Sequence, residues 1–404
     1  MTTGQQPDSG GARTAPPISL LMGLSLLGPL STHLIVPSLP NLQREFVTDY
    51  GTAQLLISLF MIAFGATQIV VGALADAFGR RPMLLAGLLV FTIASVLCAF
   101  APRIEVLIGL RVLQGASGCF GIVLARAIVR DMSSNERTAS MLGYLAIGTS
   151  VGPMLAPITG GLLHDSFGWA GPFWFLAIYS GLALCLVSAL VPETSRAAAG
   201  LNLRRLPADF GALLRRGVFL IHAANICLNT ALFYSFVVGA AFVASEYLDL
   251  SPTEYGIWFS VVAIGYASGN FLSGRGQLGR DPKWSIFSGS MMVVFFTLLM
   301  LVLFEEFKSA GTLFLPMAGA TLASGFIMPN SLAGVLSADP TKAGSASGLI
   351  GFLQFATASA FSYIAGILVA NGPRPMIVLM LAIAAGGALS AALLFFTPRQ
   401  QTRA

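Results

Sequence analysis

A few residues of this chain combine charge, or the ability to titrate, with apolar surroundings. LSTHLIVPSLP, residues 30–40, sets His33 in an aliphatic run that closes on Pro37 and Pro40. LIGLRVLQG, residues 107–115, sets Arg111 in a second run, with Gln114 and Gly115 one helical turn further on. GALADAFGRRP, residues 72–82, places Asp76 before Gly79, Arg80 and Arg81, and ARAIVRD, residues 125–131, spaces Arg126 and Arg130 four apart. An imidazole, with an ordinary pKa near 6.5, exchanges a proton around neutrality. A guanidinium stays charged and takes neutral or anionic partners. An aspartate beside two arginines makes an ion pair that a conformational change can break and remake. This is the chemistry of moving protons and of holding or releasing surfaces. The sequence shows no cluster of metal ligands, no nucleotide-binding loop and no appended soluble domain, so an enzyme is not expected, and neither is a cofactor or a metal.

The elements that must position these groups follow from composition. Of 404 residues, 55% are hydrophobic and 10% are charged, against about 25% charged in a soluble domain. The mean hydropathy is +0.80. A globule of this size cannot bury so much apolar surface, so lipid must be the solvent for most of the chain. Apolar stretches of about 20 residues, the length that crosses a hydrocarbon core of about 30 Å, recur near 18–40, 51–72, 82–101, 104–128, 138–163, 170–192, 216–244, 253–273, 283–304, 310–336, 343–370 and 374–396. Backbone amides in lipid must be satisfied within the segment, so these twelve spans are read as helices. On that reading His33 lies about 22 Å along span one and Arg111 about 10 Å along span four.

The basic residues orient the protein. With the N-terminus cytoplasmic, the opposite side receives Arg44, Arg103, Lys308 and Arg374, Arg111 falls within a span, and the other seventeen of the 22 Lys and Arg fall on the cytoplasmic side. Cytoplasmic loops collect Lys and Arg, so both termini are expected inside. The basic excess of +5 is thereby a topology signal and implies no nucleic-acid partner. Cys98, Cys119, Cys185 and Cys227 lie within spans without paired spacing and are read as reduced. Residues 1–17 are polar and read as a disordered cytoplasmic segment without the look of a cleavable signal. The expected layout is a six-helix bundle over 18–192, a cytoplasmic linker over 193–215, a second six-helix bundle over 216–396 and a tail over 397–404. FGRRP at 78–82 echoes in LGRDP at 278–282, each after the second span of its half, as a duplicated unit would leave it.

Each motif has a plainer reading. The Asp76–Arg81 loop is a clamp between the two halves, or a topogenic loop of unrelated charges. Arg111 is functional at that depth, or it snorkels to the interface. Arg126 and Arg130 gate, or they anchor the helix in anionic headgroups. Span five, with Gly152, Pro153, Pro157 and Gly160 inside IGTSVGPMLAPITGG, is a kinked surface for a neighbouring helix, or a lipid-facing helix that tolerates Gly and Pro.

Together these stretches resemble the major facilitator superfamily. GALADAFGRRP is similar to its inter-span loop signature, LIGLRVLQG to its fourth-span arginine motif and GTSVGPMLAPITGG to the fifth-span antiporter motif of drug exporters. PLSTHLIVPSLP and ARAIVRD resemble the bicyclomycin- and chloramphenicol-resistance type of twelve-span drug:proton antiporter. The resemblance implies an all-α membrane protein of two pseudo-symmetric six-helix bundles around a central cavity. It further implies alternating access, export driven by proton entry, a bacterial cytoplasmic (inner) membrane and a monomer. It makes Asp76, Gly79, Arg80 and Arg81 gating residues, gives Arg111 a part in proton coupling, and lets Gly152, Pro153 and Pro157 shape the fifth span. The chain departs from that subfamily at His33, where an aspartate is typical. His33 is then the proton carrier, alone or with Arg111, a neutral hydrogen-bonding residue of the substrate site, or a structural histidine. A cavity with histidine and arginine and no central acid favours neutral or anionic solutes. Its expected polar lining is Gln114, Asn225, Asn229, Asn270, Asn330 and Gln354 beside His33 and Arg111, with Tyr144, Phe233 and Tyr234 as aromatic walls. Any of these could instead bond helix to helix. An importer or an uncoupled facilitator is the alternative.

Overall fold

A computed structural model describes residues 16–132, 135–194, 206–274 and 281–396. Most of the N-terminal segment, the arginine-rich middle of the linker, Gly279 and Arg280 of the repeated motif, and the tail lie outside the described residues.

The first span differs from its expected form. Helix α1 (Ile18–His33) stops at the histidine, a 3-10 turn (Val36–Ser38) follows, and α2 (Leu39–Glu45) completes the crossing. The prolines account for the break: Pro37 and Pro40 carry no N–H and crowd the residue before them. Asp49 then caps α3 (Tyr50–Phe78), accepting from the Thr52 amide at 2.9 Å. Gly79, at φ +97°, turns the chain directly into α4 (Arg80–Ala99), a conformation that needs glycine. The first half continues with α5 (Ile104–Met132), α6 (Asn135–Phe167) and α7 (Gly171–Leu190). The linker, expected as a loop, contains a short helix, α8 (Leu206–Leu214). The second half comprises α9 (Gly217–Tyr247), α10 (Pro252–Gly274), α11 (Pro282–Phe307), α12 (Ala310–Ser337), α13 (Ala343–Val369) and α14 (Pro373–Leu393).

Among the described residues there are thus twelve segments of crossing length, taking α1, the turn and α2 as one. Ten of them are long and apolar enough to cross a bilayer by length and composition. Helices α6 and α10 pack extensively against each other, with Gly161 against Pro252, Gly256 against Pro157 and the Thr253 hydroxyl on Asp165. Peripheral helices show the opposite character. Leu89, Ile93 and Leu97 on α4, Ile178, Leu182 and Leu186 on α7, and Phe295, Leu298 and Val302 on α11 form exposed stripes at helical spacing, which only a lipid surround makes stable.

The packing repeats itself. In the first half α1 packs on α5 and α6, α3 on α5, and α4 on α5 and α7. In the second α9 packs on α12 and α13, α10 on α12, and α11 on α12 and α14. Each contact maps onto its counterpart when α1 is matched to α9 and α3 to α10. The seams between halves obey the same rule: α3 meets α13, and α10 meets α6. This is the two-bundle architecture, with a twofold relation between the bundles.

The seams are tight at the His33 end and slack at the other. A Cβ on Gly351 of α13 would stand 2.5 Å from Gln68 of α3, one on Gly348 would just reach Ile69 at 3.9 Å, and at Gly344 and Gly72 there is open space. At the His33 end, Tyr50 donates to the Val238 carbonyl at 2.7 Å and Arg44 pairs with Glu246 across the halves. At the far end the ion pairs Arg80–Asp76, Arg80–Asp131 and Arg216–Asp339 each stay within one half, and Lys342–Asp209 joins the second half to the linker helix α8.

Candidate functional site

His33 is the last residue of α1 and 1% exposed. Its ring is stacked on Tyr234 at 5.6 Å between centroids and lies edge-on to Phe233 at 5.8 Å, with Phe259 at 6.1 Å. All three rings belong to α9 and α10, so the imidazole of one half is plugged into an aromatic box of the other. Its Nδ1 is buried without a hydrogen-bond partner. A buried polar nitrogen left so costs about 1–3 kcal/mol. The turn after His33 seals the box: Leu34, Ile35, Val36 and Leu39 are fully buried.

Arg111 is also fully buried, which removes the snorkelling alternative. Its Nη1 donates to Ser31 Oγ at 3.0 Å and to Gln114 Oε1 at 2.8 Å, its Nη2 to the Ser31 carbonyl at 3.3 Å and its Nε to the Leu56 carbonyl at 3.1 Å. The Phe60 ring lies 4.2 Å from the guanidinium carbon, a cation–π contact. The Ser31 carbonyl is free to accept because α1 ends two residues later and leaves its last carbonyls without helical partners. Gln114 is held in turn, donating to Ser95 Oγ of α4 at 2.7 Å. Every acceptor is neutral. Gly115 permits this closeness, since a Cβ there would fall 2.3 Å from the Phe60 carbonyl.

His33 and Arg111 do not touch. They share one turn of α1 through Ser31, but residues 31 and 33 point to roughly opposite sides of a helix. Ser31 serves α5 and His33 serves the other half.

The expected cavity lining divides. Asn225 donates to Ser390 Oγ at 3.2 Å and Asn229 to Ser324 Oγ at 3.0 Å, so both join helices of the second half. Both border a cavity of about 20 Å³ between α9, α11, α12 and α14, room for about one water. Asn330 donates back to the Phe326 carbonyl within its own helix, and Asn270 lies one turn after Tyr266 on α10. Gln114 lies inside the first bundle. Tyr144 is half-exposed and Gln354 half-buried.

The Asp76–Arg81 loop holds together at the far end of the first half. Arg80 pairs with Asp76 at 2.6 Å and Asp131 at 3.2 Å, and Arg81 donates to the Ser188 carbonyl at 2.7 Å. Glu193 accepts the backbone amides of Arg80 and Arg81 at 2.9 and 3.2 Å. Arg126 and Arg130 are exposed near the same end. In α6 a Cβ on Gly160 would lie 2.0 Å from the Leu34 carbonyl, and one on Gly152 would lie 2.8 Å from Leu26. Pro153 and Pro157 lie within this helix, with the Pro157 carbonyl against Gly256 of α10.

Several groups escaped sequence reasoning. Ser31 and Ser95 complete the arginine network. Ser58, Ser359 and Ser362 bridge α3 and α13, Ser359 donating to the Ser58 carbonyl at 2.8 Å. His164 lies between Ser38 Oγ and Asn41 Nδ2, at 3.0 and 2.9 Å. Glu193 was legible only as the start of the linker.

A family model described as Major Facilitator Superfamily matches residues 21–362. The chain is 28% identical over 362 residues to an uncharacterized MFS-type transporter, YdgK, of Bacillus subtilis (strain 168), covering 87% of this chain and 88% of that one. It is 23% identical over 369 residues to multidrug resistance protein D of Escherichia coli (strain K12), covering 90% and 92%. With a bicyclomycin resistance protein homolog of Haemophilus influenzae (strain ATCC 51907 / DSM 11121 / KW20 / Rd) the figures are 24% over 365 residues, 88% and 90%. Among solved structures, a D-xylose-proton symporter superposes with a TM-score of 0.76 at 16% identity over 94% of this chain and 97% of that one. The human organic anion transporter MFSD10 does so with 0.69 at 18%, over 93% and 98%.

Proposed function

The chain belongs to the Major Facilitator Superfamily and is a secondary-active, multi-pass membrane transporter of small organic solutes, and on that premise we propose that it exports neutral or anionic amphiphiles in exchange for protons. The observation that carries this reading is Arg111. Its guanidinium is buried and bonded to neutral oxygens only, and the one buried carboxylate among the described residues is Asp339, at the turn before α13. A cation without a counter-charge repels cationic solutes and favours electron-rich ones. The chemical classes this suits are phenicol-like drugs, carboxylated metabolites and secreted chelators.

In this proposal the chain is of the bicyclomycin/chloramphenicol-resistance type, in a bacterial inner membrane, monomeric, with both termini cytoplasmic. The arginine-rich end then faces the cytoplasm, and the conformation described is closed to the outside and open inward. His33 takes a proton when the outer seam parts and water reaches the aromatic box. A protonated imidazole is costly in that box once it is dry, so reclosure requires the proton to leave. Asp76, Gly79, Arg80, Arg81, Arg126, Arg130, Gly152, Pro153, Pro157 and Gly160 are assigned to gating. Arg111 is assigned to coupling through Ser31, and Tyr144, Tyr234 and Gln354 remain candidates for contact with solute.

Proteoliposomes under an imposed pH gradient test it, with wild type compared to His33→Ala for phenicols, carboxylated chelators and cationic dyes. Wild type should release protons on addition of neutral or anionic solutes, and His33→Ala should move solute downhill without protons. Proton flux that persists in His33→Ala would make His33 a specificity residue. Solute movement in wild type without any proton flux would establish the uncoupled facilitator, the reading that the missing central acid favours.

A further inference from the structure

We propose that Asp165 is a positioning residue that latches the His33 end shut by capping, across the boundary between halves, the N-terminus of α10. Asp165 sits in the last turn of α6, in the first half. Its Oδ2 accepts from the backbone amide of Thr253 at 3.3 Å and from the Thr253 hydroxyl. Thr253 is the second residue of α10, among the amides that have no intrahelical partner. The positive end of the helix dipole favours a carboxylate there.

The local cap does not satisfy that amide. Ser251 and Glu254 cap each other, Ser251 Oγ accepting the Glu254 amide at 3.2 Å and Glu254 Oε2 the Ser251 amide at 2.8 Å. Pro252 has no amide to offer. The amide between them, that of Thr253, is the one taken by the other half. Helix α10 therefore forms with its own cap, and the bond from Asp165 is gained only when the halves meet.

Glycines bring the two backbones within reach. A Cβ on Gly161 would lie 2.4 Å from the Pro252 carbonyl, and one on Gly256 would lie 2.5 Å from that of Pro157. The neighbouring residue fixes the carrier: His164, between Ser38 and Asn41, ties the end of α6 to the segment that covers the aromatic box. Arg44 of that segment makes a further charged crossing, to Glu246. Asp49 supplies an internal comparison. It accepts from the Thr52 amide and hydroxyl at 2.9 and 2.6 Å, the same pattern formed within one half.

The proposal rests on alternating access, but not on the solute, the direction or His33. The test is pulsed electron–electron distance measurement on the full chain in nanodiscs. Cys185, the exposed cysteine, is first replaced by serine. Labels at Arg103→Cys and Lys308→Cys report the His33 end, and labels at Leu190→Cys and Ser337→Cys report the other. Asp165→Ala should raise the long-distance population at the His33 end roughly twofold to thirtyfold, the range of a lost cap. Thr253→Val should shift it the same way by less. Asp49→Ala should lower thermal stability and leave the distances alone. Unchanged distances in both Asp165→Ala and Thr253→Val would overturn the latch, as would an equal shift in Asp49→Ala. Lengthening at the His33 end without shortening at the other would uphold the latch and sink alternating access instead.

Discussion

At the scale of single residues, the informative feature is an imidazole with three aromatic neighbours and an unpartnered nitrogen. His33→Phe keeps a ring in the box and deletes the orphan. Thermal unfolding in detergent should therefore occur at the same temperature or a few degrees higher, since about 1–3 kcal/mol of unsatisfied burial is relieved. Proton-linked exchange should be lost in the same variant. A clear fall in stability would mean that the imidazole is needed for structure. His33 and Arg111 were legible in the sequence because titratable groups stand out in apolar runs. Of the groups around them, Gln114, Phe233 and Tyr234 were named from the sequence, and the serines were not. Ser31 and Ser95 are ordinary in membrane helices, and only the rotation of each helix decides which serine faces the guanidinium. The asparagines take the helix-to-helix alternative: Asn225 and Asn229 donate to hydroxyls of their own bundle.

At the scale of elements, close packing sets the tolerance. Gly160→Ala places a methyl carbon 2.0 Å from the Leu34 carbonyl. Backbone must move, at about 1–3 kcal/mol for overpacking. Gly143, in the same helix, faces open space, and Gly143→Ala should be neutral or slightly stabilising. Thermal stability of the two variants side by side checks this. The turn between α12 and α13 offers a pH test. Thr341, and then Arg216, holds the Asp339 carboxyl below the usual carboxylate range. A lowered folded value means stability that is present above the unfolded value of about 3.9 and lost as pH falls through the folded one. Asp339→Asn should thus be less stable than wild type at pH 7, and the gap should close below about pH 4. Helix existence and order were legible from hydropathy. The break after His33 was written in Pro37 and Pro40, yet the continuing apolar run concealed it. Helix α8 is too short and too isolated in the linker for periodicity to reveal.

For the whole molecule, the repeat was visible in sequence only as an echo of one loop, whereas helix pairing repeats throughout. Side chains diverge freely as long as each helix still meets its counterpart's partner. The proposed orientation rests on the distribution of arginines. A C-terminal green fluorescent protein fusion should fluoresce and an alkaline phosphatase fusion should be inactive; the reverse pattern would invert the topology. The two seams, α3 on α13 and α10 on α6, are related by the same twofold and grip at the same end. In the proposed cycle they act as the two bearings of one axle. A helix of 29 residues such as α3 is about 44 Å long, so an arm from its middle measures about 22 Å. Turning that arm by about 15° carries its tip about 6 Å, and two halves turning oppositely open about twice that, the width of a drug-sized ring system. A small rotation, with no helix unwound, is leverage enough to pass a solute.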